Sequence, residues 1–250
     1  MPAVLALAAH PDDIEYVMAG TLLRLRQKGW QAHYFNLCSG NCGSLEMEGP
    51  TTARTRLAEA QASAVLLGAA FHPPIAHDLE LIYSIPLLRR VTAVVRAVNP
   101  TIVLTHSPVD YMEDHMMAAR LAVTATFAKN IPNFASDPVR PGAPGDVAVY
   151  HAMPHGLQGP LREEVTPDFF VDTTAVHETK LAALACHQSQ QGWLAASQGM
   201  NSYLQTMDDM SREMGRRSGR FTHAEGWRRH LHLGLSRRPY DPLADVVVPE

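Results

Sequence analysis

The apolar run Val4-Leu5-Ala6-Leu7-Ala8-Ala9 passes directly into His10-Pro11-Asp12-Asp13-Ile14-Glu15. No other stretch restricts the possible folds as much. Six apolar residues in succession read as a strand buried on both faces, the kind that parallel sheets contain. Proline followed by three acids reads as the first turn of a helix: proline's missing N–H costs nothing there, and carboxylates suit the positive end of the helix dipole. In an open α/β sheet, ligands sit where strands hand over to helices at their carboxyl ends. His10, Asp12 and Asp13 are therefore expected at one such edge. An imidazole and a carboxylate at this spacing suit a shared metal ion, leaving Asp12 free to face a water held beside it. A helix start alone would account for the acids, but not for the histidine before them.

A second junction has the same character. Thr101-Ile102-Val103-Leu104-Thr105-His106 is another buried-strand pattern. It is followed by Asp110, Tyr111, Met112, Asp114 and His115, and then by a helical run over residues 116–128. His115 supplies a third ligand, with Asp114 beside it. Two strand-to-helix junctions carrying His and Asp give a catalytic zinc its three protein ligands and an open position for water.

In these residues the chain resembles the PIG-L/LmbE-like zinc-dependent N-deacetylases. Ala9 to Glu15 match the family's Ala-His-Pro-Asp-Asp-x-Glu. The family's His-x-Asp-His is matched at Asp114 and His115, with Met112 in place of the first histidine. Arg56-x-x-Glu59, Lys180 and His187-x-Ser189-Gln190 are weaker matches, so the resemblance spans residues 4–190. It implies a single-domain α/β fold, Rossmann-like, with a mostly parallel sheet and helices on both faces. It implies Zn²⁺ on His10, Asp13 and His115, with Co²⁺ or Fe²⁺ tolerated, Asp12 as general base, and Asp114 orienting a histidine. The substrate implied is an N-acetylglucosamine-type glycoside or related amide, with Arg56 reaching its hydroxyls and the loop around Asn41 facing it. A homo-oligomer, trimer or hexamer, is also implied. Methionine can neither carry a proton nor stabilise an oxyanion, so another group must act in place of the histidine missing at Met112. His155, at the end of a strand of the same sheet, is the first candidate and Tyr111 the second. An amidohydrolase acting on a different N-acyl compound, or a sugar- or metal-binding homologue without catalysis, are the competing readings. For Arg56 and Glu59 the competing reading is a solvent-facing ion pair.

Composition narrows the partners. A net charge of -4 and a pI near 6.3 give no reason to expect nucleic acid or anionic membrane. Cys38, Cys42 and Cys186 are too few and too scattered for a disulfide framework. With no apolar stretch of membrane-spanning length, they point to a reduced, cytoplasmic protein. The loop over residues 39–44 lacks the lysine of a phosphate-binding loop, and no nucleophile-elbow pattern occurs.

The remaining pattern predicts helices over residues 13–28, 52–67, 86–98, 174–190 and 201–217, and strands near 32–38, 70–75, 147–153 and 169–172. The core is expected over residues 3–190. Residues 191–250 are expected as a helical extension whose tail wraps a neighbour or frays. His33, His72, His77, His177, His230 and His232 read as surface or capping histidines, and His106 as a residue able to line the cleft.

Overall fold

In the computed structural model, which describes residues 1–190 and 203–247, the first apolar run forms strand β1 (Ala3–Ala8). β1 pairs in parallel with β2 (Gln31–Asn36), and β2 with β3 (Ala70–His72). On its other side β1 pairs in parallel with β4 (Ile102–Thr105), and β4 with β5 (Ala148–Ala152). With β6 (Phe169–Asp172) and β7 (Ala224–Arg229), the sheet runs β3-β2-β1-β4-β5-β7-β6. β7 is antiparallel to both of its neighbours. Strand order reverses between β1 and β4. That is the switch point at which an open α/β sheet leaves a crevice.

The alternation of side chains along β1 divides the core in two. Val4, Ala6 and Ala8 meet α2 (Ala19–Gln27) and α3 (Gly49–Leu67) through Leu22, Leu25, Ala60 and Leu67. Leu5 and Leu7 meet α4 (Ile85–Val98) and α5 (Glu113–Ala128) through Leu88, Val91 and Leu121. Helices therefore cover both faces, which is the predicted Rossmann-like arrangement.

The first predicted helix is interrupted. α1 (Asp13–Val17) ends at Met18, whose φ of -132° is non-helical, and α2 starts one residue later. Glu225 of β7 explains the break. Its carboxylate accepts hydrogen bonds from the backbone N–H groups of Gly20 (2.8 Å) and Thr21 (2.7 Å), two orphan donors at the start of α2. Glycine is required at residue 20, because a Cβ there would stand 2.4 Å from Thr173 Cγ2. The break could not be foreseen from the local pattern, since the capping residue lies 205 positions away.

The chain beyond residue 190 also departs from expectation. It is no appendage, because β7 fills the place between β5 and β6. Trp227 is wholly buried there, and its indole N–H donates to Thr21 Oγ1 at 2.8 Å. The predicted late helix forms a short α6 (His177–Leu184) after a 3-10 turn over Thr174–Val176. The Met-rich helix forms as α7 (Tyr203–Ser218), with Met207 and Met214 buried against the protein's own core; residues 201–202 lie outside the described residues. The tail docks as well. Tyr150 Oη donates to Asp241 Oδ1 at 2.5 Å and accepts from the backbone N–H of Leu243, which is fully buried at the head of α8 (Pro242–Val247). Among the described residues no helix is long and apolar enough to cross a membrane.

Candidate active site

A cavity of about 240 Å³ lies at the switch point, bordered by the segments after β1 and β4. His10 leaves β1 into it, and His115 enters from the first turn of α5. His10 Nε2 stands 2.9 Å from Asp114 Oδ2, and its Nδ1 stands 3.5 Å from Asp13 Oδ2. His115 Nδ1 stands 3.1 Å from Asp110 Oδ1, and its Nε2 stands 3.3 Å from Asp13 Oδ1. Donor atoms of His10, Asp13 and His115 all lie within 4.8 Å of one another. Each imidazole thus has one nitrogen on an outer carboxylate and the other turned toward Asp13. Metal-ligating histidines are held in this way, because the outer partner fixes tautomer and ring angle.

The charges fit a cation too. Asp13, Asp110 and Asp114 gather around the two rings, and none of their recorded ion pairs is with Lys or Arg. Burial works against protonating the rings. Even so, the hydrogen bond to Asp114 with the Asp13 carboxylate raises His10 to about 9, and Asp13 with Asp110 raises His115 to about 10. The cluster demands positive charge. A divalent ion would supply it with both rings neutral and their lone pairs engaged.

His106 plays a different part. Its Nε2 accepts the backbone N–H of Ala9 at 3.0 Å, so the same nitrogen cannot donate to Asp13 Oδ2 at 3.2 Å. Burial lowers its pKa, in keeping with a neutral acceptor. Its ring stacks on His115 with centroids 4.1 Å apart and 6° between planes, a plate that restricts the turning of that ring.

Asp12 sits at the start of α1 with φ +99°, a left-handed backbone, and borders the same cavity as His10, Asp13 and His115. The carboxylate Oδ2 lies 3.1 Å from Arg56. Burial raises the Asp12 carboxyl above its usual range, against the pull of that guanidinium.

Arg56 is not the solvent-facing partner of Glu59. It lines the cavity but is only 4% exposed, and it donates to Pro11 O as well as pairing with Asp12. Its stem lies on Gly40, where a Cβ would come within 2.5 Å of Arg56 Cδ. Its Nη2 braces Asp12, while its Nε is buried with no partner. The Glu59 carboxylate instead accepts from the backbone N–H (2.8 Å) and hydroxyl (2.7 Å) of Ser189.

Asn41 is not among the residues bordering the cavity. Its Oδ1 accepts from Ser39 Oγ and the Asp78 backbone N–H, so it organises the loop while Cys42 and Gly43 face inward. Tyr111, Met112 and His155 do border the cavity. The His155 ring lies 5.1 Å from that of Tyr16 and 6.1 Å from that of Tyr111. Sequence reasoning gave Asp110 no role; its one signal was an acid five positions ahead of His115. It also took His177 for a surface histidine, whereas His177 is 3% exposed.

The outer carboxylates can be tested directly. Asp110→Asn and Asp114→Asn are each expected to weaken metal retention about 10–100-fold, read by competition with a chromogenic chelator.

The sequence profile of the PIG-L family, GlcNAc-PI de-N-acetylase, matches residues 5–126, a span holding the whole cluster. A diacetylchitobiose deacetylase of Thermococcus kodakarensis is 31% identical over 194 residues, which is 75% of this chain and 69% of that protein. The chain belongs to the PIG-L family. A second relative of this PIG-L chain has another activity: a 4-oxalmesaconate hydratase of Pseudomonas putida, 30% identical over 197 residues, 76% of this chain and 74% of that one. The crystal structure of GalB, the 4-carboxy-2-hydroxymuconate hydratase from Pseudomonas putida, matches with a TM-score of 0.78 and 26% identity, covering 96% of this chain and 99% of that chain. Deacetylase and hydratase stand at equal distance in sequence. Fold likeness does not choose between them, so the choice falls to the site.

Proposed function

We propose that this PIG-L protein is a metal-dependent hydrolase that removes the acyl group from an N-acylated amine, with an N-acetylglucosamine-type glycoside as the substrate class. The observation that carries this reading is the His10, Asp13 and His115 donor set with Asp12 beside it in one cavity. Two nitrogens and one carboxylate suit zinc, with Co²⁺ or Fe²⁺ as alternatives. When bound, such an ion supplies Lewis acidity and lowers the pKa of a water.

The chain's own residues supply the rest. Asp12, braced by Arg56 and made more basic by burial, accepts the proton of the attacking water. The amide C–N bond breaks, the hydroxyl stays on the acyl carbon, and the departing nitrogen takes up a proton. His155 is the group on the cavity wall that delivers it; burial lowers its pKa, so a proton placed there is readily given up. Replacing His155 by Ala is expected to slow kcat by roughly 10²–10⁴-fold. A loss of less than about threefold, under roughly 1 kcal/mol in the barrier, removes His155 from this role. Met112→His in the His155→Ala background recovers rate if the two positions share one task.

The hydratase relative supports a second reading, since adding water to a double bond also needs an activated water and a proton donor. Charge argues for the amide. Arg56 is the one Lys or Arg lining the cavity among the described residues, and its Nη2 is already held by Asp12 and Pro11. Residues 191–202, which follow the cavity residue Gln190, contain no Lys or Arg either. A carboxylate-rich substrate would find a single Lys or Arg, its charge already paired with Asp12, whereas a neutral amide needs none.

The deciding experiment incubates the zinc-loaded protein with N-acetylated glycosides, other N-acyl amines and unsaturated carboxylic acids. Amine and acetate released together, stopped by chelator and restored by Zn²⁺, support the hydrolase. Hydration of an unsaturated acid with no amine from any amide overturns it.

A further inference from the structure

A second histidine cluster lies apart from the cavity, where α6, α7 and the segment ahead of β7 meet. His177 Nε2 stands 2.7 Å from Asp208 Oδ1, and His223 Nε2 stands 3.1 Å from the same oxygen. The two rings are stacked, with centroids 3.7 Å apart and 11° between planes. All three donor atoms lie within 4.8 Å of one another. We propose that His177, Asp208 and His223 form a second divalent-metal site, for zinc or a similar first-row ion, which fastens α7 to the body of the protein.

The three residues come from distant parts of the chain and are held in place by other contacts. The backbone carbonyl of His223 accepts from the Thr173 N–H and the Thr174 hydroxyl, and its own N–H donates to Thr174 Oγ1. That locks it against the turn leading into His177. Arg212 Nε donates to Asp208 Oδ2 at 2.7 Å, which leaves Oδ1 facing the rings. Here two imidazoles turn the same nitrogen toward one point, and both Nδ1 atoms are buried with no partner. Donors at about 2.0–2.2 Å from one ion stand roughly 3–3.6 Å from each other. The carboxylate needs to move only a few tenths of an ångström, with the rings splaying from their stack. Two imidazoles and one carboxylate form a borderline donor set that favours zinc, cobalt or nickel over calcium or magnesium.

The site lies close in sequence to the cavity wall. α7 begins at Tyr203, which lines the cavity, and Asp208 stands five residues further along the same helix. An ion at Asp208 therefore holds the helix that brings Tyr203 to the wall. With one carboxylate, already shared with Arg212, this site is expected to bind more weakly than the cluster of three acids at His10.

The test uses the full chain with the first site disabled by His10→Ala and His115→Ala, titrated with Co²⁺ alone and followed by visible absorption and thermal melting. One Co²⁺ per chain is expected, with Tm rising by roughly 5–10 °C at a hundredfold excess over Kd. Adding Asp208→Asn keeps the side chain's shape and should abolish both effects; if that variant does not fold, His223→Gln makes the same comparison. Binding of no ion by the disabled chain overturns the proposal. So does binding of one that neither substitution displaces. Neither outcome depends on the substrate turned over in the cavity.

Discussion

Asp12→Asn is expected to retain its metal and lose turnover by roughly 10²–10⁴-fold, the range for removal of a general base. Its neighbour should behave differently. Asp13 supplies an oxygen to the donor set, and although burial opposes it, the His115 and His106 rings and the hydrogen bond with His10 hold its carboxyl well below the usual range. Asp13→Asn removes that anion, so metal leaves along with activity. The two variants differ by one position in the chain, and their contacts explain the contrast: Asp13 lies against the His10, His106 and His115 rings, and Asp12 against Arg56. Metal content per chain, measured with kcat on the same preparations, separates them. Equal loss of metal in both would mean that the roles are wrongly assigned. Melting should be recorded too, since Asn at position 12 leaves the Arg56 guanidinium buried without its anion.

The largest expected effect on stability lies at Glu225. This carboxylate is 4% exposed and holds Lys180 Nζ at 2.8 Å besides the two amides that begin α2. Glu225→Ala strands a buried ammonium and two backbone donors, at a cost of about 3–5 kcal/mol. For a domain of this size that corresponds to a fall in Tm of roughly 6–20 °C. The double change Lys180→Met with Glu225→Leu should cost less than Glu225→Ala, because it leaves no unpaired charge. If Glu225→Ala melts within about 2 °C of the parent, below one kcal/mol on the same scale, the pair does not hold the helix start as described.

What the sequence disclosed and what it concealed follow from distance along the chain. β1 and β4 were legible because a strand buried on both faces announces itself as an unbroken apolar run, and His10, Asp13 and His115 because they lie at the junctions between such runs and the helices that follow. The β7 segment Ala224-Glu225-Gly226-Trp227-Arg228-Arg229 concealed itself by carrying a buried acid whose partners, Gly20, Thr21 and Lys180, lie elsewhere in the chain. Arg56 and Asn41 were recognised as polar residues near the cleft, yet their alignment with a family could not show that Asp12, Pro11 and Asp78 already engage them. Asp110 gave almost no signal, because its importance lies wholly in the ring it touches. The Asp-His pairing of His177 with Asp208 spans 31 positions and matches no spacing that a motif would reveal.

The place of β7 in the sheet has a consequence for the order of events on the ribosome. β6 emerges some fifty residues before its neighbour, and until Ala224–Arg229 follows, it has no strand beside it. β5 meanwhile presents an unpaired edge on that side, the kind of surface that recruits other chains. His10 and Asp13 are synthesised long before β7, but the helix that follows them waits for Glu225 to close its open end. A chain stalled near residue 220 would therefore carry every residue of the candidate site and still lack the strand that joins β6 to the sheet and the acid that caps α2, so late truncations should yield insoluble protein rather than a less active one.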